Sequence, residues 1–141
     1  MTGKDLIKKY ESLRLIAYLC PAGVPTIGWG HTKDVSIGDT CTKEQAEGWF
    51  DEDYNEAKKG LYKYVKVPLN ENQEGALISF IFNLGVGNFS SSTLLKLLNQ
   101  GKYLEASEQF VRWNKSKGRV LTGLTNRRLE EKQLFNTPVE V

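Results

Sequence analysis

A capping box at Thr42-Lys43-Glu44-Gln45 opens a run of apolar residues, Ala46, Trp49, Phe50, Ala57, Leu61, Tyr64 and Val65, at three- and four-residue spacing that lasts until Pro68. In such a box the Thr42 hydroxyl accepts from the Gln45 amide while the Gln45 side chain reaches back, so the start of a long helix is fixed locally. This helix, about residues 42–67, divides the chain. Ahead of it, residues 13–41 are β-branched and broken by glycine; behind it, helical signals follow one another to the end.

The first helix is predicted from Thr2, an N-cap, through Leu6, Ile7 and Tyr10, ending near Glu11. Leu13 to Leu19, the turn Pro21-Ala22-Gly23, and Val24 to Trp29 together read as a hairpin. A second cap signal, Asn70-Glu71-Asn72-Gln73, precedes Ala76, Leu77, Phe80, Ile81 and Leu84, an apolar set wide enough for a central core helix that Gly85 ends. Further helices are predicted over Thr93–Leu98, over Lys102–Trp113, and from Thr125 to Phe135 after a basic loop, Asn114–Gly123. Helices dominate and strands cluster early, so the class is α+β. The 141 residues read as one domain: a β lobe over 13–41, a bridging helix over 42–67, and a helical lobe over 68–141 joined by residues 1–12.

The length suffices to bury about 70% of the unfolded surface without disulfides. The longest apolar run, Leu15 to Cys20, is far short of the roughly 20 residues a membrane span needs. The N-terminus runs into mixed charge, so no secretory signal is expected. Nineteen basic against 17 acidic residues give +2, too little for a nucleic-acid protein. Even so, Arg112, Lys115, Lys117, Arg119, Arg127, Arg128 and Lys132, against Glu130 and Glu131, make the last third basic, which suits an anionic polymer as partner and a merely solvated surface equally well. Cys20 and Cys41 form neither a disulfide framework nor a metal set, so free thiols in a reducing compartment are expected, and no metal or cofactor.

Taken singly, a glutamate at a helix end is solvated, a cysteine in an apolar strand is core, and a lone histidine is structural. Spacing changes that reading for Glu11, Cys20 and Thr26. A glutamate closing a helix, a reactive side chain at a hairpin turn and a threonine starting the return strand bring three polar groups to one edge of the small lobe. His31 follows the glycines of the same segment.

The stretch Tyr10-Glu11-Ser12-Leu13-Arg14-Leu15, then Tyr18, then Pro25-Thr26-Ile27-Gly28-Trp29-Gly30-His31-Thr32 resembles the phage-type lysozymes, or endolysins, of glycoside hydrolase family 24. A second match is Leu77 to Gly85 with Phe89 and Ser92-Thr93-Leu94-Leu95, and a third is Gly123-Leu124-Thr125-Asn126-Arg127-Arg128. The resemblance covers nearly the whole chain and implies a lysozyme-like fold with its cleft between the two lobes. The reaction it implies is hydrolysis of the β-1,4 bond between N-acetylmuramic acid and N-acetylglucosamine in bacterial peptidoglycan.

Carried over by position, Glu11 is the general acid, a role that needs a carboxyl still protonated near neutrality. Arg127 faces it, as an exposed cleft arginine with few core contacts that orients Glu11 while favouring its ionised form. Cys20 stands where most of the family has aspartate. It can act as base toward a water held by Thr26, or attack the anomeric carbon, only as thiolate. His31 supports the lobe, and Phe82, Asn83, Ser92 and Gln109 contact substrate. Trp49, Trp113 and Tyr103 are read as core rather than sugar platforms. A monomer that a holin releases to the wall completes the picture. Two other functions stay open: a Cys20/His31 cysteine amidase or endopeptidase, and a wall-binding module without activity.

Overall fold

The computed structural model describes residues 1–139. Helix α1 (Gly3–Glu11) is closed at its start by a full capping box between Thr2 and Asp5, and buries Leu6 and Ile7. The chain leaves it through Ser12 at φ 57, a left-handed conformation that a non-glycine residue adopts only under strain. Strands β1 (Arg14–Leu19) and β2 (Pro25–Gly28) then pair antiparallel, Tyr18 opposite Thr26 and Leu19 opposite Pro25, with a register irregularity between Arg14 and Tyr18. Isolated bridges, Ile16 to Thr40 and Ile27 to His31, tie the loop before α2 to this hairpin.

Helix α2 (Lys43–Tyr64) has the expected Thr42/Gln45 box and, at 22 residues, a length of about 33 Å. It stops at Val65, before the Pro68 that the sequence marks as its end, because Val65 turns to an extended conformation. At one end its Ala46 and Phe50 receive the β lobe, with Phe50 edge-on to Trp29 at 6.0 Å. At the other, Ala57 and Leu61 enter the helical core.

Helix α3 (Glu71–Leu84) is capped by Asn70 and Gln73, and Gly75 to Ile81 are all buried. It is the axis of the helical lobe. A methyl group at Gly3 would lie 2.5 Å from Gly75 Cα, so two bare backbones are what allow α1 to cross α3 this closely. Phe80 sits at the centre of an aromatic cluster, edge-on to Phe89 at 6.3 Å, Phe110 at 5.6 Å and Trp113 at 5.8 Å. Around α3 lie α4 (Val86–Ser90), α5 (Thr93–Asn99), α6 (Tyr103–Ser107), a 3-10 turn (Phe110–Arg112) and α7 (Thr122–Phe135).

The architecture is the α+β arrangement read from the sequence, with differences of detail. The single helix expected over Lys102–Trp113 is two short pieces, because the chain turns at Glu108 and Gln109 to drive Phe110 under Phe80 and Phe135. Helix α4 was not expected. The basic loop holds a small hairpin, β3 (Lys115–Ser116) with β4 (Arg119–Val120), turning through Lys117 and Gly118 at positive φ. Helix α7 begins at Thr122, three residues before the expected Thr125. The β3–β4 turn reaches toward the β1–β2 turn: Lys117 Nζ lies 3.7 Å from where a Cβ on Gly23 would be.

Candidate active site

Glu11 is the last residue of α1, and its carboxylate points between the lobes with the side chain 16% exposed. Arg127 Nη1, from α7, donates to its Oε2 at 2.6 Å. On the other side the backbone of Gly30 packs against the carboxylate, where any Cβ would fall 2.5 Å from Oε1. Gly30 also has φ 76, so both space and conformation require glycine here.

Arg127 is not the exposed cleft arginine expected from sequence: its side chain is 4% accessible. Its Nη2 donates to the Ser79 carbonyl at 3.2 Å and its Nε to Ser79 Oγ at 3.4 Å, both on α3. A buried guanidinium needs such partners, and the helical core supplies them. Arg128 is likewise buried, against Glu131 and the Phe80 ring. Two of the cations that make the last third look basic therefore point inward and add nothing to a surface.

Cys20 follows β1 and is half-buried; Cys20 and Cys41 are both free thiols. The turn is closed by Cys20 N–H to the Val24 carbonyl at 3.0 Å and by Gly23 N–H to the Cys20 carbonyl at 2.8 Å. Burial pushes the Cys20 thiol up, but the backbone amides of Val24, Ala22 and Gly23 and the Thr26 hydroxyl favour the thiolate more strongly, and the net effect holds it below the usual thiol value. Thr26 is buried and its Oγ1 donates to the Val24 carbonyl at 2.9 Å. That hydroxyl has one proton, which is given to Val24 in this arrangement.

Tyr18 lies within the electrostatic reach of both halves, a placement the sequence reading did not give it. It stands opposite Thr26 in the hairpin, and its hydroxyl is pushed up first by burial and then by the charges of Glu11 and Cys20. Its ring also receives the Arg14 guanidinium at 4.9 Å.

A cavity of about 280 Å³ opens beside Gly30, lined by Thr32, Ile81, Phe82 and Gly85 among others. Phe82 forms its wall, tilted against Phe50 at 5.7 Å. Asn83 is next to it, with a buried Oδ1 that has no protein partner. Gln109 is half-buried at the start of the 3-10 turn. Ser92, expected at the substrate, is buried and occupied at both ends, accepting from Leu95 N–H at 3.1 Å and donating to the Phe89 carbonyl at 2.7 Å, so its hydroxyl caps α5.

His31 donates or accepts at Nδ1 with Asp53 Oδ2, 2.8 Å away, and stacks on Trp49 with ring centres 4.7 Å apart. It clamps the β lobe to α2, and no hydrogen bond among the described residues joins it to Cys20. Trp113 is partly buried against the core as expected, whereas Trp49 is half-buried against His31 rather than in the core, and the Tyr103 hydroxyl donates to the Pro68 carbonyl. Among the described residues no group of three His, Cys, Asp or Glu is arranged for a metal, and no helix is long and apolar enough to cross a membrane.

The phage lysozyme family profile matches residues 8–131. An endolysin of Acyrthosiphon pisum secondary endosymbiont phage 1 is 48% identical over 139 residues, covering 96% of this chain and 95% of that protein. An endolysin of Bacillus phage PZA is 45% identical over 141 residues; there the match covers 96% of this chain but 54% of the relative, so the chain spans about half that protein's length. Among solved structures, the muramidase domain of SpmX from Asticaccaulis excentricus superposes with a TM-score of 0.87 at 37% identity, covering 96% of this chain and 95% of that one. The chain belongs to the phage lysozyme family and is a lysozyme-type glycosidase.

Proposed function

We propose that this protein is an endolysin that hydrolyses the β-1,4 bond between N-acetylmuramic acid and N-acetylglucosamine of bacterial peptidoglycan. Glu11 is the general acid and Cys20, as thiolate, the base. The observation that carries this reading is the pairing of a cleft carboxylate held by Arg127 at 2.6 Å with a thiol that its own turn favours as the anion. A water held by Thr26 gives its proton to the Cys20 sulfur and its oxygen to the anomeric carbon. The glycosidic C–O bond breaks, and the departing oxygen takes the proton from Glu11. A water between acid and base corresponds to inversion at the anomeric carbon, as the family resemblance implies.

Phe82, Asn83 and Gln109 are the residues placed at the glycan, with Phe82 as an apolar wall of the cavity beside Gly30. Ser92 holds the turn behind them. The enzyme acts as a monomer, without cofactor, and reaches the wall from the host cytoplasm once a holin has opened the membrane.

A peptidase built on Cys20 and His31 is disfavoured by the commitment of His31 to Asp53 and Trp49. Purified peptidoglycan separates the readings. We expect new reducing ends and no new amino groups, with a loss of about 10²- to 10⁴-fold in Glu11→Gln while that variant stays folded. New amino groups would establish a peptidase, and neither product would establish a binding module.

A further inference from the structure

Beneath Glu11 lies a carboxylate that the reaction above does not use. Glu131 is fully buried on α7, one turn beyond Arg127 and Arg128. Its Oε2 accepts from Ser79 Oγ at 2.6 Å and from Arg128 Nη2 at 2.9 Å, and lies 3.4 Å from Arg127 Nε. Its Oε1 is 2.6 Å from Arg128 Nε, in ion-pair contact but out of hydrogen-bond alignment. Arg127 therefore spans two carboxylates, Glu11 at Nη1 and Glu131 at Nε, and Ser79 touches both Arg127 and Glu131.

We infer that Glu131 is a positioning residue for glycosidic cleavage: with Ser79 it fixes the Arg127 guanidinium against Glu11 and offsets part of its charge, so that Glu11 keeps the proton it must donate. The inference rests on the reading of Glu11 as general acid. Its physical basis is the low dielectric of the site, where an uncompensated guanidinium in contact with Glu11 would favour the carboxylate strongly. Two guanidiniums, which do not deprotonate, stand here against two carboxylates. Without Glu131 both would face Glu11 alone.

The groups facing Glu11 are Arg127 and, deeper in α7, Arg128, together with Tyr18 of β1. Those facing Glu131 are Arg128 and Arg127 of α7 and Ser79 of α3. Burial pushes the Glu131 carboxyl up against the pull of both arginines; with two permanent cations beside it, the carboxylate is the neutral-pH form.

The test is the pH profile of kcat and KM on soluble peptidoglycan fragments for wild type, Glu131→Gln, Glu131→Asp and Ser79→Ala, each with a melting curve. In Glu131→Gln the limb set by Glu11 should move about one pH unit toward acid, with the rate well up that limb reduced about tenfold and KM within twofold. Glu131→Asp should restore most of that shift. Ser79→Ala keeps every charge but frees Glu131 to turn to Arg128, and should move the same limb by a smaller amount; it carries the test if Glu131→Gln does not fold. A folded Glu131→Gln with a limb in the wild-type place, or a Ser79→Ala profile lowered equally at every pH, would overturn the inference. Glu11→Gln in the same series separates the two claims: an active Glu11→Gln removes the underlying reading, whereas an inactive one beside an unmoved Glu131→Gln profile removes only the role of Glu131.

Discussion

The two lobes hold their share of the site in different ways. The helical lobe wraps α3 completely, with Gly75 to Ile81 all buried and Phe80 enclosed by Phe89, Phe110 and Trp113. The β lobe buries Ala17, Thr26, Ile27, Gly28, Trp29 and His31 and leaves Leu15, Ile16, Leu19, Val24 and Ile37 exposed. Glu11 belongs to the first kind of environment, tied through Arg127 to a buried set of charges. Cys20 and Thr26 belong to the second, a two-stranded hairpin fixed by a few turn hydrogen bonds and by the His31 clamp. The proposed proton donor gains from a fixed, water-poor mount, whereas the proposed thiolate needs donors around the sulfur, which the amides of a tight turn favour.

Substitutions on either side should show this contrast. Arg127→Ala has the largest expected effect. It leaves Glu11 and Glu131 without their shared cation in a buried site, and should cost about 3–5 kcal/mol in denaturant unfolding as well as activity. A variant that loses activity at unchanged stability would mean that Arg127 serves catalysis alone, and the buried mount would not be the difference between the lobes. At the other extreme, Ile37→Ser on the exposed face of the β lobe should change stability by no more than about 0.5 kcal/mol in the same experiment. A loss of 2 kcal/mol or more would show that the thin lobe has a core of its own to protect.

What could be read from the sequence follows the range of the interactions involved. The caps of α2 and α3 were legible because Thr42 with Gln45, and Asn70 with Gln73, act within four residues. The break after α6 was not, since it exists to place Phe110 against Phe80 and Phe135, contacts remote in sequence. The burial of Arg127 was missed for the same reason: charge reads as surface until Ser79, 48 residues away, is seen to receive it. Arg127, Arg128 and Glu131 do stand at three- and four-residue spacing on one helix, a signal that could have flagged an inward ion cluster. Glu11, Cys20 and Thr26 were legible as candidates by spacing and resemblance, while Gly30 and Tyr18 emerge only from what packs against them.

The proposed division of labour between a fixed acid and a turn-stabilised thiolate is tested most directly at Cys20. Because the turn holds this thiol below its usual value, the thiolate is available at lower pH than in a free thiol, while the loss of the Glu11 proton limits the rate on the alkaline side. The measurement is reducing-end release from peptidoglycan by wild type, Cys20→Asp and Cys20→Ala across about pH 5 to 9, a range that spans both carboxyl and thiol ionisation. Cys20→Asp should match or exceed the wild-type rate with an optimum displaced toward acid, because a carboxylate forms at lower pH than a thiolate. Cys20→Ala should lose about 10²-fold or more. An aspartate variant as inactive as the alanine one would contradict the account, because an anionic base at this position could then not be what the reaction requires.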